Sequence, residues 1–201
     1  MYFFLLSYSI LGAGIKYIDD AFDEKTFSKI IAVVLTPLLS ILGVYAMFID
    51  PVSATILLAI IGGVLIKGKV DNYAFIGGVV LVICLVVIAR IDFLIIPLIL
   101  LGSAAVLDEV GNDYIDNNKD AFNKDKLAYK FAVYFFGQRW IMKVLLLFLV
   151  LINIIPFYFF FAMILFDYAY QAVNLYSKIK QGKANTWTAR KALAIVGYIF
   201  K

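Results

Sequence analysis

Long apolar runs separated by short polar breaks dominate the chain. A membrane span needs about 20 mainly apolar residues, and runs of that order are predicted at 1–18, 29–48, 52–66, 73–89 and 93–107. They stop at Asp19-Asp20, at Asp50-Pro51, at Lys67-Gly68-Lys69, at Arg90 with Asp92, and at Asp108-Glu109. Proline at Pro51 favours a turn there. A sixth run, 127–152, is interrupted by Lys130, Gln138, Arg139 and Lys143, so a polar, interfacial first half is expected. Asn153 to Pro156 reads as a tight turn before a seventh run, 157–176, although 141–166 could instead form one long kinked helix. Small residues at Gly62-Gly63, Gly77-Gly78 and Gly102-Ser103-Ala104-Ala105 predict close helix packing.

Composition points the same way. Of 201 residues, 64% are hydrophobic and 16% charged, against about 45–50% and about 25% in soluble domains. The expectation is an all-α, polytopic transmembrane helical bundle of about seven spans, formed by residues 1–176. Acidic cytoplasmic loops are expected at 19–28 and 108–126. A basic tail, 177–201, follows, with 187–200 reading as an interfacial amphipathic helix. The first run lacks a basic leader and a cleavage motif, so it reads as a retained span. Lysine and arginine gather on one set of loops, which places the N-terminus outside and the C-terminus in the cytoplasm. The cell membrane is the expected location and the lipid bilayer the first partner; nothing suggests nucleic acid. The lone Cys84 excludes a disulfide framework. With no histidine, any metal would need oxygen ligands, which favours Mg²⁺ or Ca²⁺.

Two acidic stretches carry the candidate chemistry. As a helix, 112–120 sets Asp113, Asp116 and Asp120 on one face, with Asn112 close by. Near the first run, Asp19 and Asp23 are four apart and Asp20 and Asp23 three apart. Carboxylates held so close repel unless a cation lies between them. Mg²⁺ bridging one or two carboxylates to substrate phosphates is one such arrangement. Asp167, deep in the seventh run, is costly unless paired, with Lys143 or Arg139 as candidate partners in an intramembrane ion pair.

The residues 112–120 fit the pattern NDxxDxxxD, and Asp19 to Asp23 contains DxxxD. In these motifs the chain resembles the UbiA-type intramembrane prenyltransferases. The resemblance implies an all-helical bundle whose aspartate-rich motifs hold Mg²⁺ on an isoprenoid diphosphate. Carried over by position, Asn112, Asp113, Asp116 and Asp120 match the first motif and Asp19 and Asp23 the second, with Asp20 beside them. Arg139 and Lys143 become candidates for binding the diphosphate by position alone. The expected function is a Mg²⁺-dependent transferase using a prenyl diphosphate. The alternatives are a cation transporter or channel with an acidic vestibule, and a membrane subunit without catalysis.

Overall fold

The computed structural model describes residues 1–66, 68, 72–118, 127–137 and 139–182. Helices occupy almost all of these: α1 (Tyr2–Phe22), α2 (Lys29–Ile49), α3 (Pro51–Ile66), α4 (Tyr73–Ile88), α5 (Ile95–Asn117), α6 (Leu127–Gly137), α7 (Trp140–Leu151) and α8 (Phe157–Lys180). The tail segment 187–200 and the stretch 119–126 lie outside the described residues.

Local chemistry explains the boundaries. Pro51 opens α3, where a missing N–H costs nothing, while the Asp50 carboxylate accepts the Val52 amide at 2.8 Å. Asn72 caps α4 by accepting the Phe75 amide at 2.9 Å. Asn153, left-handed at φ 62°, turns the chain between α7 and α8, and Pro156 then starts α8. The predicted sixth run is two helices. Arg139 adopts a left-handed conformation (φ 52°, ψ 50°) and separates α6 from α7.

The seven-span reading is corrected. Among the described residues two helices are long and apolar enough to cross a membrane, α2 and the 95–115 portion of α5. Helices α3, α4 and α7 are apolar but only 16, 16 and 12 residues long, below the usual range of about 17–25. Length is not lacking in α1 and α8, but α1 carries Lys16, Asp19 and Asp20, and α8 carries Asp167, Gln171, Asn174, Lys178 and Lys180. The multi-pass assignment, its sidedness, the cell-membrane location and the bilayer as partner all rested on that count, and they fall with it. So do the intramembrane transferase, the transporter and the membrane subunit.

Much of the apolar sequence serves helix packing. Helix α1 lies against α8 and α2, α3 pairs with α5, α4 leans on α2, and α7 sits against α5 and α8. The core runs through Tyr8, Met47, Ile56, Leu101, Leu146, Phe159 and Phe166. Gly12 lets α1 reach α8: a Cβ there would overlap the Phe166 carbonyl. Gly63 likewise meets Ala105, whose Cβ would be 2.8 Å from an added one. Gly62, Gly77 and Gly102 face open space instead, so only part of the small-residue pattern marks packing. Outward faces keep apolar side chains too, among them Ile30, Leu38, Val87 and Ile96.

Candidate functional site

One end of the bundle holds a charged interior, assembled from four helices and the break between α6 and α7. From α1, Lys16 reaches Asp19 at 2.6 Å and Asp20 at 2.9 Å. From α5 come Asp108 and Glu109, 1% and 8% exposed. The α6–α7 break supplies Arg139, whose guanidinium lies 3.2 Å from Glu109. Helix α7 gives Lys143, whose Nζ stands 2.6 Å from Asp167 Oδ2 on α8. That oxygen is paired by charge but lies off a hydrogen-bonding direction. Tyr170 on α8 has Lys16 and Arg139 against its ring, each 5.4 Å from the centroid.

Asp108 explains the break that aims Arg139. Its two carboxylate oxygens accept the Ile141 and Met142 amides at 3.0 and 2.8 Å. A helix start leaves such amides without intrahelical partners, and here a carboxylate from a different helix takes them. Arg139 then spends its backbone on the left-handed turn, a conformation rare for non-glycine residues and costly unless its surroundings hold it.

Burial shapes the ionisation. It pushes Asp108 up to about 6, against the two amides and the nearby Arg139 and Lys143, which favour the charged form. Asp167 is raised by burial too, with Lys143 and Arg139 opposing. For Lys16, burial would lower the pKa, but Tyr170 and the carboxylates of Asp19 and Asp20 outweigh it and hold the ammonium above its ordinary range. Tyr170 is raised by burial.

Beside these groups lies a cavity of about 350 Å³, whose polar wall is Asp19, Glu109, Asn112, Arg139, Asp167, Tyr170, Gln171 and Asn174. It adjoins a nearly apolar one of about 110 Å³ that runs inward past Leu11, Leu39 and Met47. Ile15, Ile60, Ile61, Phe75, Val79 and Phe166 wall both. The two spaces are therefore neighbours, polar at one end and greasy at the other.

No protein-family model, curated protein or solved structure matches the chain. Its site is read from its own residues.

The structure brings four of the sequence candidates, Asp19, Asn112, Arg139 and Asp167, to this one cavity. Lys143 backs it through Asp167. Asp20 turns to Lys16, and its other oxygen is buried without a hydrogen bond. Asp23 is exposed just past α1, and Asp113 is half-buried on α5. Asp116 is in α5, its side chain outside the described portion, and Asp120 lies outside the described residues altogether. Among the described residues no group of three carboxylate, cysteine or histidine side chains gathers to hold a metal.

Sequence reasoning passed over Lys16, Gln171 and Asn174, took Asp108 and Glu109 only as the start of an acidic loop, and set Tyr170 aside as no partner for Asp167. Two signals were available. Lys16 lies three and four residues before Asp19 and Asp20, the spacing of helical ion pairs. Asp167, Tyr170, Gln171 and Asn174 fall at i, i+3, i+4 and i+7, one polar stripe that follows the apolar first half of the helix.

Proposed function

We propose that the chain is a binding protein for a small molecule with a polar end and an apolar end. The observation that carries this reading is the pair of adjoining cavities with a common wall at Ile15, Ile60, Ile61, Phe75, Val79 and Phe166. Small-molecule sites are typically concave, of about 300–1,000 Å³, mostly apolar, with a few convergent polar groups. The polar cavity alone is within that range. Apart from Arg139, at the break between α6 and α7, the polar groups of the lining come from helices, so packing holds them in place before any ligand arrives. The left-handed backbone of Arg139 fits this reading, because strain of that kind collects at binding sites.

Val79→Trp, which would fill the common wall, supplies the test. Native mass spectrometry with octyl-chain amphiphiles should show one molecule retained by the wild type and none by the variant, with both folded by circular dichroism. Equal uptake by the two proteins would overturn the assignment.

A further inference from the structure

We infer that the polar end of the ligand is uncharged: a polyhydroxyl or amide head, and not a phosphate, carboxylate or ammonium. This rests on the binding reading above and narrows its ligand class.

Each charged side chain that lines the cavity already has an opposite charge against it, although Lys16 serves Asp20 at 2.9 Å as well as Asp19. Asp19 has Lys16 at 2.6 Å, Glu109 has Arg139 at 3.2 Å, and Asp167 has Lys143 at 2.6 Å. An ionic head would have to draw one partner away from a pair, leaving the opposite charge poorly compensated in a shielded space, and that is the unfavourable way to break a buried ion pair. The cation–aromatic arrangement points to the same conclusion, since Lys16 and Arg139 already lie against Tyr170.

Neutral groups hold the unspent capacity. The Asn112 amide on α5 lines the cavity, and among the described residues neither it nor the Tyr170 hydroxyl makes a side-chain hydrogen bond. Gln171 and Asn174 on α8 meet each other only at 3.5 Å, the weak limit of such a bond. Each amide offers two donor hydrogens and an acceptor oxygen. Amides on two helices around one space, both donating and accepting, suit a head that does the same. Hydroxyl groups and amides do so without bringing charge. Discrimination is sharp in such sites, because a head lacking the right partners leaves polar groups unpaired.

Three probes with the same eight-carbon tail separate the possibilities: octyl β-glucoside, octyl phosphate and octylammonium, each used below its micellar concentration. Titration calorimetry on the full chain should give saturable, one-to-one binding of the glucoside, at least tenfold tighter than either ion. Asn112→Leu should weaken the glucoside at least tenfold while leaving the ionic probes unchanged, and Gln171→Met provides the same comparison from α8. Binding of the phosphate or the ammonium as tightly as the glucoside would overturn the inference and leave the binding function standing. Failure of all three to bind saturably would overturn both.

Discussion

Lys143 on α7 and Asp167 on α8 form an ion pair 2.6 Å long, with side chains only 7% and 10% exposed. Removing one partner of a buried pair is far worse than removing both, because the survivor stays charged without compensation. Lys143→Met is expected to destabilise by about 3–5 kcal/mol. Lys143→Met combined with Asp167→Leu should recover most of that loss. Chemical denaturation of the three proteins decides; a double variant as unstable as the single one would show that the pair is not the origin.

Asp108 gives the stability a pH dependence of definite sign. Its carboxyl is raised from an ordinary 3.8 to about 6 by burial, so the folded protein binds the proton more tightly than the unfolded chain. This contribution is complete below about 4 and disappears as the pH rises through about 6. Asp108→Asn mimics the protonated form. Wild type should therefore lose stability relative to Asp108→Asn between pH 4 and pH 6, as read from denaturation midpoints across that window. A difference that stays flat there would contradict the raised value.

Arg139 separates backbone from side chain. Alanine and glycine both delete the guanidinium, but only glycine adopts φ 52° without strain. Arg139→Gly should be about 1 kcal/mol more stable than Arg139→Ala. Both variants should lose the Glu109 pair and the contact with Tyr170. Thermal melts of the two variants test this, and equal midpoints would mean that the turn relaxes.

Gly12→Ala places a methyl group where the Phe166 carbonyl already stands. Backbone cannot rotate aside as a side chain does, so the cost should reach or exceed the top of the usual overpacking range, about 1–3 kcal/mol. Gly62→Ala, whose Cβ would enter open space, should be neutral or slightly stabilising, since alanine is the better helix residue. Melting both variants side by side tests the contrast.

The element boundaries were legible where one side chain makes them. The runs expected at 52–66 and 73–89 correspond to helices Pro51–Ile66 and Tyr73–Ile88, because Asp50, Pro51 and Asn72 fix their starts locally. What the apolar runs could not tell was their surroundings. A leucine records that it avoids water and not which surface it meets, and a helix apolar on all sides fits a protein core as well as lipid. Expecting seven spans was the consequence. At the site, Asp167 with Lys143 and the stripe through Asn174 follow from helical spacing and charge. The break at Arg139 does not, since its cap comes from Asp108, more than thirty residues earlier.

The loop after α1 is fastened to the end of α8. Ser177 donates to the Thr26 hydroxyl at 3.1 Å and Lys180 to the Thr26 carbonyl at 2.7 Å, across 151 and 154 residues of chain. Contacts so distant in sequence come late in folding, since a loop must close before they give any return. The cavity uses those same two helices, with Ile15 and Asp19 from one and Phe166 to Asn174 from the other. A ribosome-bound chain that has not yet released α8 therefore has no pocket, however much of α1 to α5 has already formed. Ligand present during synthesis would find nothing to hold until the eighth helix docks, and from then on it would favour the closed pairing of α1 with α8 over their separation.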